Sequence, residues 1–343
     1  MLKIIAIVVV VLIAVVLIYA ATKPDIVIST RGVRPAVFFI EDSACSGFDA
    51  SPPQPTAPNA PPEFAIMVKK GASNSARAII NPVFALEHVF LDPVEPTDIN
   101  ITPRQTSQTS ERITVSHIST KVLPEFSIGL KPVGGARPVA VLTVSVKPRR
   151  KSDTGNFTVA LRTIKEALNP GLDPQGTITP SVLAQHLNDV TWGRQANTHF
   201  SVTALEHSIN YDLDGDGLLK DPTSGDEELI TLRDAINATA HPYTNFDVNI
   251  HLVKSMKNGT LRPAFAFGDQ PDGKIYIQDS HPGSKRYALA HELGHILRKD
   301  AGDTPDQHSE NNGELMVIPL RDDDPCRLRK EDWNKANLVE PPL

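Results

Sequence analysis

From Ile4 to Ala21 the chain carries an unbroken apolar run with no polar face, bounded by Lys3 before it and by Lys23 and Pro24 after it. At helical rise the run spans about 27 Å, enough to cross a hydrocarbon core. A cleavable signal region is usually shorter and ends in small residues at the −3 and −1 positions. Here a cut after Ala20 places Ile18 at −3, and a cut after Ala21 places Tyr19 there. Residues 1–23 therefore read as a membrane-inserted signal-anchor, with a cleaved signal peptide as the alternative. In either case Lys3 stays on the cytoplasmic side and the rest is expected outside the cytoplasm, membrane-anchored or secreted. In such a compartment the two cysteines, Cys45 and Cys326, are expected to form a disulfide.

The length of 343 residues implies two folded units. With 40% apolar and 22% charged residues, both can bury a core. Aromatics are sparse at 6% while proline numbers 29, which favours strands and turns over helical bundles. The net charge of −6 shows no basic bias, so nucleic acid is not an expected partner.

Residues 24–147 read as short strands separated by turn-rich stretches, such as Ala36–Ile40, Phe64–Val68, Arg112–His117 and Pro138–Lys147. That spacing suggests an all-β, sandwich-like domain. Its histidines, His88 and His117, sit in apolar strand contexts and read as structural. The strand ending at Lys147 either closes this sandwich or opens the next sheet. A basic, proline-containing stretch, Lys147 to Asp153, follows as a linker. Over 151–343 the texture becomes α+β. Helical periodicity is read at Val159–Leu168 and Pro180–Trp192, with Thr179 and Pro180 suited to the N-cap and first turn. Strands are expected at Thr198–Leu205, Asp247–Val253, Ala264–Phe267 and Lys274–Ile277, and helices at Glu227–Thr239, Leu289–Arg298 and Arg329–Leu338.

The most chemically specific stretch is His291-Glu292-Leu293-Gly294-His295. Histidines at i and i+4 project from one helix face, one turn apart, a spacing that suits two ligands of a tetrahedral Zn²⁺. Glu292 can reach a water on the metal without ligating it and act as general base. Leu289, Leu293, Ile296 and Leu297 are placed to pack the helix onto a sheet and turn the histidines outward. Gly294 costs about 1 kcal/mol in a helix against alanine, which a close backbone approach would explain. Chance alone places HExxH in roughly one chain in a hundred of this length. Here it stands in an amphipathic helix of an exported chain, after a strand pair able to hold an extended peptide. A catalytic zinc needs a third protein ligand. His308 is the leading candidate, with Asp300, Asp303, Glu310 and Glu314 as acidic competitors.

A second constellation is Asp212-Leu213-Asp214-Gly215-Asp216-Gly217, with carboxylates at alternate positions as in the first half of an EF-hand calcium loop. Thr223 stands where that loop needs its bidentate glutamate. Asp221, Asp226, Glu227 or Glu228 are the possible substitutes. The other histidines show no paired ligand spacing.

His291–His295, His308 and the run Asn311 to Met316 together resemble the active-site region of metzincin-type zinc peptidases, matrixin-like in character. Leu187–Asp189 through Gln195–Asn197, and Leu328–Trp333, are similar to such enzymes too. The resemblance covers about residues 150–343. It implies a zincin-like catalytic domain, with Met316 in a tight turn beneath the metal. The chain departs from the family pattern at Arg298 and Ala301, which occupy the places of the usual glycine and third histidine. The expectation is an α+β zincin-like domain preceded by an all-β domain and an N-terminal hydrophobic helix. Its function would be that of a zinc endopeptidase acting on protein or peptide substrates, with calcium as a structural ion. The rivals are a catalytically degenerate metal-binding or interaction protein and a zinc hydrolase of a non-protein amide.

Overall fold

The computed structural model describes residues 36–50, 60–81, 85–92, 97–106, 108–149, 155–176, 178–220, 227–257, 264–267, 273–279, 285–298, 314–316 and 326–338. The chain divides into two units, Met1–Val146 and Lys147–Leu343. The expected membrane segment, residues 1–23, lies outside the described residues. Among those described, no helix is long and apolar enough to cross a membrane. Cys45 and Cys326 are each disulfide-bonded, so neither is a free thiol.

The first unit contains β1 (Ala36–Glu41), β2 (Phe48–Asp49), β3 (Glu63–Lys69), β4 (Ser73–Asn81), β5 (Leu86–Phe90), β6 (Ile99–Thr102), β7 (Gln105–Thr106), β8 (Ser110–His117), β9 (Phe126–Pro132) and β10 (Ala140–Lys147). They form two sheets, in the orders β1-β4-β8-β6 and β2-β3-β10-β9-β5-β7. Alternation sets the inward faces. Ala76, Ala78 and Ile80 of β4 and Ile113 and Val115 of β8 meet Ile66, Val68, Ile128, Leu130, Leu142 and Val144 of the other sheet in one core. His117 is buried, and its Nδ1 accepts the Gly71 N–H at 3.0 Å, a structural role. β10 pairs with β9, so the strand ending at Lys147 belongs to this unit's sheet.

In the second unit, β11 (Phe157–Glu166), β12 (Phe200–Ile209), β14 (Val248–Val253), β16 (Ala264–Phe267) and β17 (Lys274–Gln278) make a sheet of order β12-β11-β14-β17-β16. The first four strands in that order run parallel, and β16 pairs antiparallel with β17 at the edge. A parallel pair needs a long crossover. The β11–β12 crossover holds α1 (Pro180–Gln185), a π-helical turn (His186–Val190) and α2 (Trp192–Ala196). The Thr179 Oγ1 caps α1 by accepting the Val182 N–H at 3.3 Å. Helix α3 (Glu227–Asn237) covers one sheet face, burying Leu229, Leu232 and Ile236 with Ile164, Val253 and Tyr276. Strands β13 (Leu219–Lys220) and β15 (Met256–Lys257) form a small parallel pair. Helix α4 (Lys285–Arg298) packs against β16 and β17, and α5 (Lys330–Leu338) against α2 and α4.

One expected helix is a strand. Val159–Leu168 falls largely in β11, the second strand of the sheet order. Both faces of β11 are covered, so Val159, Ala160, Leu161, Arg162 and Ile164 are all buried and the alternation that marks a half-buried strand is missing. The buried Arg162 is accommodated by polar neighbours. Its Nη2 and Nε donate to Asn249 Oδ1 at 2.8 and 3.1 Å, its Nη1 donates to the His241 carbonyl at 2.9 Å, and the guanidinium lies over the Tyr243 ring.

Candidate metal centre

Helix α4 carries the His-Glu-x-x-His residues, and its stretch from Ala288 to Arg298 is buried throughout. His291 and His295 are 3% and 4% exposed, so the histidine face is not turned outward as the leucine pattern implied. It is covered, and part of the cover is the segment 314–316. The His291 Nδ1–H donates to the Leu315 carbonyl at 2.8 Å. That bond fixes the tautomer and leaves the Nε2 lone pair for a metal. His291 Nε2 and His295 Nε2 lie 3.3 Å apart. Two nitrogens at tetrahedral angles, each about 2.0–2.1 Å from one Zn²⁺, are separated by about 3.3–3.4 Å. The separation of the pair therefore matches that of two ligands on one zinc. Glu292, the next residue along, is buried at 6% exposure.

Gly294 has a reason other than the one expected. Among the described residues, the atoms nearest to it belong to side chains. A Cβ there would collide with Met316 Sδ and would lie 2.8 Å from Trp192 Cζ2. Met316 and Trp192 are fully buried, and the Trp192 Nε1–H donates to the Ala290 carbonyl at 2.8 Å, locking α2 against α4. Met316 thus lies directly against the turn of α4 that joins the two histidines.

Of the candidates for a third ligand, His308, Asp300, Asp303 and Glu310 lie outside the described residues. Glu314 is described. Its Oε2 faces Arg329 Nε at 3.6 Å, and the residue pairs with Arg327 in a short bridge. Arg298 continues the helix to its last residue. Its side chain is sealed from solvent and forms an ion pair with Asp332 at 2.9 Å. Burial raises the Asp332 pKa, while Arg298 and Arg329 oppose that rise. The Leu315 carbonyl, Trp192 and Asp332 support the motif helix with no signal in the sequence that points to them. A backbone carbonyl has no sequence signature, and the other two read as ordinary helix positions.

Asp212, Asp214 and Asp216 converge away from this motif, with one carboxylate oxygen of each within 4.8 Å of the others. Ca²⁺–oxygen distances of about 2.3–2.6 Å allow such a spread. The loop closes on itself: Asp212 Oδ1 accepts the Gly217 N–H, Asp214 Oδ1 that of Asp216, and Asp216 Oδ1 that of Leu218. The buried Glu228 accepts the Leu213 N–H at 3.0 Å, which brings its carboxylate to the loop. Glu227 is exposed. Thr223, Asp221 and Asp226 lie outside the described residues.

No family model matches the chain, and no curated protein matches it. Among solved structures, it is similar to a chimeric titin Z1Z2 functionalized with a KLER exogenous peptide from decorin. The identity is 16%, over 26% of this chain and 92% of that one, with a TM-score of 0.19, a likeness that carries no argument about fold or function.

Proposed function

We propose that the chain is an extracytoplasmic zinc endopeptidase of metzincin-like type. His291 and His295 would hold the metal, His308 would complete its protein ligands, and Glu292 would be the general base. The observation that carries this reading is the separation of 3.3 Å between the two Nε2 atoms, with the far nitrogen of His291 already committed to the Leu315 carbonyl. Zinc, when bound, would polarise a scissile carbonyl and lower the pKa of water to about 7. Glu292 takes a proton from the attacking water and returns it to the leaving amine. A peptide is the substrate favoured by β16, which stands last in the order of described strands and pairs there with β17, the kind of edge to which an extended chain adds by backbone hydrogen bonds. The disulfide-bonded state of both cysteines supports placement outside the cytoplasm. Asp212, Asp214 and Asp216 would hold calcium as a structural ion.

The test is zinc stoichiometry together with cleavage of an unstructured protein. Wild type should carry one zinc per chain and cleave. Glu292→Gln should keep the zinc and lose activity by at least about a hundredfold, and His308→Ala should lose zinc. A zinc-free wild type ends this reading. Zinc retained without cleavage of proteins would instead favour the degenerate binding protein or the hydrolase of another amide.

A further inference from the structure

Gln195 in α2 is 1% exposed, and its side-chain amide is wholly engaged with backbone. Oε1 accepts the Leu328 N–H at 2.9 Å, while Nε2 donates to the Cys326 carbonyl at 2.6 Å and to the Val190 carbonyl at 3.0 Å. The Leu328 N–H and the Cys326 carbonyl lie on one edge of a short extended stretch. On its opposite edge the Arg327 carbonyl accepts the Leu315 N–H at 2.7 Å. The Leu315 carbonyl in turn accepts the His291 Nδ1–H. One primary amide therefore acts as a missing strand, and the next rung but one ends on the imidazole.

Only asparagine and glutamine offer a donor and an acceptor together in this geometry. Glutamate would keep the acceptor and lose the donor, and leucine would lose both. The tautomer of a histidine is set by the bond its other nitrogen makes. The position of the Leu315 carbonyl therefore decides whether His291 presents a lone pair or a hydrogen at Nε2.

We infer that Gln195 is a positioning residue of the metal centre, acting through residues 326–328 and Leu315 to hold His291 as the Nδ1–H tautomer. The purpose of that tautomer rests on the proposed zinc reading, but the tautomer itself is a property of the metal-free protein and can be measured there.

The experiment uses the full chain with ¹⁵N-labelled histidine. Long-range ¹H–¹⁵N correlation on the metal-free protein reads the tautomer, and competition with a chromogenic chelator reads zinc affinity. Wild-type His291 should be a single Nδ1–H species. Gln195→Leu and Gln195→Glu should mix or invert the tautomer and weaken zinc by about 10–100-fold, the usual cost of losing a supporting partner. Asn188→Leu is the control, because the Asn188 amide clamps the Phe200 backbone in the same way but leads to no ligand. It should lower stability and leave the tautomer alone. If Gln195→Leu fails to fold, Gln195→Glu carries the test, since it keeps the side-chain length and the acceptor for Leu328. Folded Gln195 variants that retain a pure Nδ1–H His291 and wild-type zinc affinity overturn the inference, as does a wild-type His291 protonated at Nε2. A wild type that takes up no zinc overturns the metal centre alone, and the tautomer signal still decides the role of Gln195.

Discussion

Gly294 within α4 and His186 packed against it show how single positions are set by what they touch. Replacing Gly294 by alanine should gain about 1 kcal/mol of helix propensity. It must also displace the buried Met316 or the rigid Trp192 ring, and such overpacking costs about 1–3 kcal/mol. The expected outcome is a net loss of up to about 2 kcal/mol in urea unfolding, with weaker zinc binding because Met316 moves. A more stable variant would mean the contact is slack. His186, in the π-helical turn, lies edge-on to the Tyr287 ring at 4.2 Å. Burial, aided by Arg286, holds its pKa down to about 4 against an ordinary 6.5. The folded state thus keeps a neutral ring where the unfolded chain takes up a proton. Its contribution is complete above about pH 6.5 and is lost as the pH falls towards 4. His186→Phe should recover roughly 2 kcal/mol at pH 4.5 relative to its effect at pH 7.5. Equal effects at the two pH values would show that the ring titrates normally.

At the level of elements, the last turn of α4 is tied to α5 by the Arg298–Asp332 pair, both side chains all but sealed from water. Removing one charge of a buried pair is costlier than removing both. Asp332→Asn should destabilise by about 3–5 kcal/mol, whereas Arg298→Met combined with Asp332→Leu should fall close to wild type. A double variant as unstable as the single would show that packing, not charge, holds the two helices together. The same pair shows what was legible beforehand. Helices α3, α4 and α5 and strands β16 and β17 stand close to where the sequence leads one to expect them. The i, i+4 spacing of His291 and His295 points to a pair whose Nε2 atoms the fold brings to 3.3 Å. β4 gives a weak strand signal because its inward residues include Ala76 and Ala78, too small to register as a strand face. β11 reads as a helix because burial on both sides removes alternation. Arg298 was visible only as a departure, since the carboxylate that explains it lies 34 positions along the chain. Local pattern identifies what an element is made of, but not which distant group it was shaped to meet.

At the scale of the whole molecule, the two units can be followed separately, because the chain's two tryptophans, Trp192 and Trp333, are both in the second and both fully buried. Tryptophan fluorescence therefore reports unfolding of the second unit, while far-ultraviolet circular dichroism sums both. The Asp212–Asp216 loop runs directly into β13, whose Leu219 shares a core with Met256, Leu229 and Tyr276. Calcium held there would bind the folded second unit and not the unfolded chain. At a hundredfold excess over its dissociation constant it should add about 2.7 kcal/mol. For a unit of this size that corresponds to a rise of about 5–10 °C in the fluorescence midpoint. The part of the dichroism change that arises from the first unit should not move. Asp214→Asn should reduce the calcium-dependent rise, and magnesium, which demands tighter octahedral geometry, should produce little of it. If the fluorescence midpoint is the same with calcium and with a calcium-selective chelator, the loop is an acidic turn closed by its own backbone bonds, and the stability of the second unit rests on its core.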